Sequence, residues 1–379
     1  MQLKKYFLMK QSIKINNNLH LLSSDYHFYI FFYIIHNMTT EQRKKDHLKT
    51  CLEENVETPT NGFEDVILIN KSLPEIDFDE IDTSTEFFGK KLNMPLMIDA
   101  ITGGTEEARS INRDLASIAE KKKIIFELGS QRAMIENPQL KNTYYVRDVA
   151  PKTLIFGNLG IFQLKKFSLD QIKSTLREIG VDALAVHINP AQEVFQKEGD
   201  TDFSDLFLQL SNLCENLGYA VIGKEVGAGI SLEVAQKLKE AGVKAIDVGG
   251  FGGTNWIVVD ALRSGKDFNA FVGWGIPTSV SILESKVGLP IIATGGIRDG
   301  VEVAKAIALG ADVCGMALPF LRILKKEGKI GIEKFIDKIQ KELKTAMFLT
   351  GSKNIKELKR AKYVLTGKVR DWTEQRNLR

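Results

Sequence analysis

The residues best placed to do chemistry are Thr294-Gly295-Gly296-Ile297-Arg298-Asp299-Gly300 and, after Leu309-Gly310-Ala311-Asp312, the run Gly315-Met316-Ala317-Leu318-Pro319. Each reads as a buried strand that ends in small residues and leads into a helix. Glycine lets backbone amides approach an anion closely, and a helix N-terminus adds partial positive charge. Two such turns side by side make the phosphate cradle that follows strands seven and eight of many (β/α)8 barrels. The plain alternative is that these glycines only close tight turns.

A second group concerns what would sit beside that phosphate. Lys224 ends the apolar run Ala220–Lys224, where a buried ammonium is costly unless an anion meets it. The N1–C2=O edge of a flavin carries negative charge when reduced and suits it, so the phosphate reads as that of a flavin nucleotide. An ion pair with Glu225 or Glu193 is the competing account. Asn158 and Thr102 could hydrogen-bond the ring edge, or simply cap loops. His187, Asn189, Gln192 and Glu193 stand close together. One carboxylate among neutral oxygens suits Mg²⁺, which takes few protein ligands beside phosphate oxygens and water. His187 reads equally well as a core histidine, and no second histidine stands at zinc-ligand spacing. Arg43-Lys44-Lys45-Asp46-His47 is either a solvated helix face or a basic segment that folds over the site to bind a diphosphate.

Positioning these groups requires a specific scaffold. Eight apolar runs, Pro95–Asp99, Ile124–Leu128, Thr153–Asn158, Ala183–His187, Ala220–Lys224, Ala245–Val248, Pro290–Thr294 and Val313–Met316, alternate with amphipathic helical windows. The helical windows are Glu106–Lys123, Leu169–Ile179, Phe203–Leu217, Leu232–Ala241, Ser279–Val287 and Val301–Leu309. Near-continuous apolar strands between helices are parallel strands buried on both faces. Eight such units predict an α/β chain folded as a (β/α)8 TIM barrel; an open doubly wound sheet gives no reason for phosphate turns on the last two strands. Val66–Leu73 and Glu86–Leu92 read as an N-terminal β-hairpin or cap. Gly331–Thr350 reads as the eighth helix and Leu358–Leu365 as a trailing one. The expected organisation is an extension over 1–37, an N-terminal cap with the basic segment over 38–93, and the barrel over 94–379.

Composition narrows the partners. A net charge of +3 on 379 residues favours neither nucleic acid nor an anionic membrane surface. Three cysteines without a CxxC pair fit a reducing cytoplasm rather than a disulfide framework. Residues 1–37 hold four lysines, one aspartate and the aromatic run Phe28–Ile35, which is too short to span a bilayer as a helix. They are expected to be a disordered or misassigned extension, with translation starting at Met38.

Taken together these residues resemble the type 2 isopentenyl-diphosphate isomerase family over roughly residues 41–366. The marks are Arg43-Lys44 with His47, Thr102-Gly103-Gly104, Gly129-Ser130-Gln131-Arg132, Asn158-Leu159-Gly160, His187-Ile188-Asn189-Pro190-Ala191-Gln192-Glu193, Gly199-Asp200-Thr201-Asp202-Phe203, Lys224-Glu225-Val226-Gly227, Gly252-Gly253-Thr254 and Gly273-Trp274-Gly275-Ile276-Pro277-Thr278. The resemblance implies FMN in the barrel, Mg²⁺, and NADPH or another reductant. It implies that Ala100, Ile101, Thr102, Ser130, Asn158, Lys224, Thr254, Gly295, Gly296, Ile297, Arg298, Ala317 and Leu318 line FMN. Arg43, Lys44, His47, Ser130, Gln131, Arg132, His187, Asn189 and Gln192 would face the substrate, isopentenyl diphosphate, and Glu193 would hold Mg²⁺. Gln192 and His187 would be closest to the chemistry, Gln192 positioning rather than titrating. A cytoplasmic homo-oligomer, tetramer or octamer, is also implied. Ile101 departs from the methionine common in the family before Thr-Gly-Gly.

Other functions need residues that are missing. A 2-hydroxy acid oxidase would need a His-Gly-x-Arg segment where Gly273-Trp274-Gly275 stands, and an inosine-monophosphate-dehydrogenase-like enzyme would need a cysteine in the Gly252-Gly253-Thr254 loop. A non-catalytic flavin- or phosphate-binding barrel would have no use for Gln192-Glu193 and Arg43-Lys44.

Overall fold

Alternating apolar runs and helical windows do close on themselves. The computed structural model describes residues 40–58 and 60–378, so the extension at residues 1–37 lies outside the described residues. The chain divides into units 1–43 and 44–379. Of the first, only residues 40–43 are described, as the start of the helix Thr40–Glu53.

In the second unit eight parallel strands form a closed barrel: β1 (Leu96–Ile98), β2 (Ile125–Glu127), β3 (Ile155–Gly160), β4 (Ala183–His187), β5 (Ala220–Lys224), β6 (Ala245–Asp247), β7 (Ile291–Thr294) and β8 (Val313–Met316). The strands pair in chain order, and β8 returns to β1 through Cys314–Leu96, Gly315–Met97 and Met316–Ile98. The expected (β/α)8 barrel is the observed fold.

Strand alternation sorts the side chains. One set points inward and packs as a continuous layer with a residue from every strand: Met97, Ile125, Phe156, Ala185, Ile222, Ala245, Ile292 and Val313. The intervening residues, such as Leu96, Ile98, Phe126, Leu184, Val221 and Cys314, point outward into the core shared with the helices. A hairpin, Thr85–Phe87 against Lys90–Leu92, closes the N-terminal end by inserting Phe87 and Leu92 against the inward layer.

Three elements differ from the sequence-based expectation. Val66–Leu68 does not pair with the hairpin; it pairs antiparallel with Tyr363–Leu365. Residues Leu358–Leu365 are therefore the end of a short helix (Ile355–Leu358) and a strand, not a trailing helix. Local periodicity carries no trace of a partner almost 300 residues away. After β8 a helix from Leu318 to a break at Gly328 precedes the expected one, which then runs on to Leu349.

Candidate functional site

The residue two positions beyond each inward apolar side chain also points inward. On seven strands it is polar: Asp99, Glu127, Asn158, His187, Lys224, Asp247 and Thr294; on β8 it is Gly315. Their contacts form one chain across the barrel. His187 Nδ1 lies 2.8 Å from Asn158 Oδ1, and Asn158 Nδ2 donates to Glu127 Oε1 at 2.6 Å. Glu127 Oε2 is 3.8 Å from Lys224 Nζ. The ammonium donates to Asp99 at 3.0 Å and to Asp247, which also accepts from the Thr294 hydroxyl. Lys224 is thus buried as expected, but neither Glu225 nor Glu193 is its ion-pair partner. Three carboxylates hold it, one of them from the facing strand β1.

Burial and charge act against each other here. Burial alone would push the Lys224 pKa down, but Asp247, Asp99 and Glu127 raise it well above its ordinary value. Burial drives Glu127 well up, and lifts Asp247 to about 6 although Lys224 opposes the rise. The adjacent Glu225 is fully buried and sits at about 7. Burial raises it, while hydrogen bonds from the amides of Val226, Gly227 and Ala228 at 2.6–2.7 Å pull it back.

Above this layer the loops converge. Gly295 and Gly296, at φ 110° and 78°, pass so close to the loop after β6 that a methyl group on either would strike the carbonyl of Gly250 or Gly252. Thr278 Oγ1 and Asn61 Nδ2 hold the two glycine carbonyls, which leaves the loop's shape fixed. Ala317 precedes the helix from Leu318 without a side-chain cap, so amides of its first turn are available to an anion. Arg298 does not stand alone: Glu57 pairs with it and with Arg322. Residues 56–58 in turn hydrogen-bond to Gly253 and Asn255, tying that segment to the loop that holds Thr254.

The helix through Lys44 and His47 crosses the same face. Lys44 Nζ donates to Ser130 O at 2.8 Å, in the loop after β2. His47 Nε2 lies 2.8 Å from Asp260, on the helix Trp256–Ser264 that follows β6. In the barrel's order β2 and β6 face each other, so two residues one helical turn apart span the mouth. Asp260 also accepts from Gln192 Nε2 at 2.8 Å and pairs with Arg263. Burial would raise its pKa, but His47 and Arg263 hold it below the usual range.

The remaining expected residues fall as follows. Asn189 Nδ2 donates to Gln192 Oε1 and to Glu193 Oε1, both at 2.9 Å, and the Asp200 amide donates to Glu193 Oε2 at 2.8 Å. Gln131 is buried, with its amide spent on Gly129 O and the Asn158 amide, so it braces the ends of β2 and β3. Arg132 pairs with Glu136 at 2.7 Å. Ala100, Ile101 and Ser130 line the rim half-buried. Ile297 is fully buried in the core beneath its loop. Arg43 belongs to the first unit.

Sequence reasoning missed Asp99, Glu127, Asp247 and Asp260, although a signal existed. Each is an acid inside or at the end of an apolar run, where a charge persists only with a partner.

A flavin mononucleotide fits this arrangement. Thr102 Oγ1 is buried without a hydrogen-bond partner among the described residues, glycine keeps side chains away from the backbone of 295–296, and the uncapped helix start at 317–318 offers donors beside it. A cluster of three acids, Asp99, Glu127 and Asp247, has metal-like spacing, but the Lys224 ammonium already lies among them. Glu193, held by Asn189 and Asp200, fits a metal that takes one protein carboxylate.

Comparison with known proteins agrees on the flavin. The FMN-dependent dehydrogenase family profile matches residues 183–365. The isopentenyl-diphosphate delta-isomerase of Pyrococcus abyssi is 48% identical over 350 residues, covering 88% of this chain and 95% of that one. The Archaeoglobus fulgidus enzyme of the same name is 44% identical over 345 residues, covering 89% and 100%. Among solved structures, a mandelate oxidase variant with the monooxide FMN adduct superimposes with a TM-score of 0.59 at 16% identity, over 89% of this chain and 96% of that one. A putative lactate oxidase of Pediococcus acidilactici gives 0.59 at 19%, over 86% and 94%. Those structures share the fold. The chain belongs to the isopentenyl-diphosphate delta-isomerase family.

Proposed function

We propose that this member of the family interconverts isopentenyl and dimethylallyl diphosphate by a 1,3-allylic proton shift that depends on reduced FMN, with Mg²⁺ at the diphosphate and NADPH or another reductant keeping the flavin reduced. The observation that carries the reading is the placement of Lys44 and His47 across the mouth, beside Ser130, Gln192 and Glu193 and above the Lys224 layer.

FMN would supply the proton donor and acceptor at its ring nitrogens, while the nearby carboxyls of Glu127 and Asp247 are engaged by Asn158 and Lys224. The protein's part is placement. Lys44 lies on the Ser130 carbonyl at the end of β2 and favours an anionic headgroup there, with Arg132 two residues further on, its guanidinium steered by Glu136. Glu193 would hold Mg²⁺ against that headgroup. Gln192 cannot titrate; Asp260 and Asn189 fix both ends of its amide, so it orients the hydrocarbon end. Thr102, Asn158 and Lys224 stand where the ring edge would meet them, and residues 295–298 with 317–318 would take the cofactor's phosphate. His187, through Asn158, steadies that edge.

The decisive test is anaerobic turnover of isopentenyl diphosphate by the FMN-loaded protein. Isomerisation leaves the substrate's oxidation state unchanged, so one reduction by dithionite should support many turnovers, and deuterium from D2O should enter the dimethylallyl product. NADPH consumed in proportion to product would overturn the reading in favour of an oxidoreductase.

A further inference from the structure

Tyr144 is among the largest fully buried side chains, and nothing above gives it a task. It follows the short helix Pro138–Thr143, beyond β2, and its ring fills a slot beneath residues 102–104. A methyl group on Gly103 would overlap that ring, so the first glycine of Thr102-Gly103-Gly104 serves Tyr144 and not only a cofactor turn. Thr143 Oγ1 accepts from the Gly104 amide at 3.0 Å, and Asn112 Nδ2 donates to the carbonyls of Thr102 and Thr143. The tyrosine is therefore locked to the loop after β1.

Its hydroxyl is buried against Lys44 and Ser130. It accepts from Lys44 Nζ at 2.7 Å and donates to Ser130 O at 2.9 Å, while Lys44 Nζ also donates to Ser130 O at 2.8 Å. A lysine side chain has four rotatable bonds and loses considerable entropy when held still. Here a rigid phenol hydroxyl and a carbonyl fix it before any ligand arrives.

We infer that Tyr144 is a positioning residue that presets the Lys44 ammonium for the diphosphate of the substrate. The inference rests on the proposed role of Lys44. Preorganisation lowers the ordering cost of binding, so its loss appears in affinity and not in the chemical step.

The test is a cycle of Tyr144→Phe, Lys44→Ala and the double variant on the FMN-loaded enzyme. Phenylalanine keeps the ring that fills the Gly103 slot, so folding is retained and is checked by the melting temperature. Tyr144→Phe should raise KM for isopentenyl diphosphate about tenfold, the weight of one hydrogen bond to a charged group. It should leave kcat within about twofold and weaken calorimetric binding of inorganic diphosphate in parallel. In the Lys44→Ala background the same substitution should change nothing further. A raised KM in Lys44→Ala with normal KM in Tyr144→Phe would overturn the inference and leave the role of Lys44 intact. An additive effect in the double variant would also overturn it. Normal KM in Lys44→Ala would instead remove the substrate role of Lys44, and this inference with it.

Discussion

Two layers of the same barrel interior are built from the same strands and obey opposite rules. The lower layer, from Met97 through Ile125, Phe156 and Ile222 to Val313, is apolar and sealed by Phe87 and Leu92. The upper layer, two residues further along each strand, holds three carboxylates, an ammonium, an imidazole, an amide and a hydroxyl. A β-strand turns its side chain back to the same face every second residue, so one step of two carries β5 from Ile222 to Lys224. Packing decides the first layer and partner geometry decides the second. Stability and chemistry can be altered separately only if this division holds.

The sharpest way to break the comparison is to truncate both residues on β5. Lys224→Ala leaves Asp99, Glu127 and Asp247 buried without their counter-charge. Breaking such a buried arrangement costs about 3–5 kcal/mol, and FMN should bind weakly as well. Without the ammonium Glu127 and Asp247 hold protons more tightly folded than unfolded. Their contribution is then intact at low pH and lost as pH rises through their folded values, so urea melts should show a larger penalty at pH 8 than at pH 5. Ile222→Ala should cost about 2–5 kcal/mol through a cavity, equally at both pH values, with KM unchanged. If the two variants share one pH profile, the layers are not energetically distinct.

The same contrast explains what the sequence reveals and what it conceals. All eight strands are legible because each is a short apolar run between helices, and Ala183–His187, Ala220–Lys224 and Val313–Met316 match the structure at both ends. Lys224 stands out because a lone cation ends an apolar run. Asp99, Glu127 and Asp247 carry the same signal, but their pairing with Lys224 is hidden, since they come from three other strands and only barrel closure brings them together. Asp260 and Tyr144 lie off the strands altogether, on a helix and a loop that pattern alone treats as packing. The pairing of Val66–Leu68 with Tyr363–Leu365 is hidden for the same reason.

Glu225, at the rim of the polar layer, gives a smaller effect of the same kind. Its carboxyl sits at about 7 in the folded protein against an ordinary 4.5. A folded value above the unfolded one means that its stabilising contribution is complete below pH 4.5 and is lost as pH rises to 7. The loss is on the order of 2–3 kcal/mol, from the energy of a pKa unit. Glu225→Gln keeps an oxygen to accept the amides of Val226, Gly227 and Ala228 but cannot ionise. Its stability should stay flatter between pH 5 and 8 than that of the unaltered protein. An unchanged slope would show that the loop opens to let the carboxylate reach water.

The smallest effect is expected to differ in sign between the two states of the site. Thr102 Oγ1 is buried and has no hydrogen-bond partner among the described residues. In the lower layer such a group would be a pure liability, because an unsatisfied buried hydroxyl costs about 1–3 kcal/mol. Thr102→Val keeps the branched shape and removes the orphan, so the flavin-free protein should become more stable by about 1 kcal/mol. If the hydroxyl is kept for the flavin, the same substitution should weaken FMN binding by about 1 kcal/mol, roughly fivefold in Kd. Flavin-free melts and a flavin titration on the one variant therefore read the two effects separately. Stabilisation without loss of affinity would make Thr102 a packing residue with a misplaced hydroxyl. Loss of affinity without stabilisation would mean that the hydroxyl is already satisfied before the cofactor arrives. Opposite signs would show that the polar layer tolerates an unsatisfied group because its partner is a ligand.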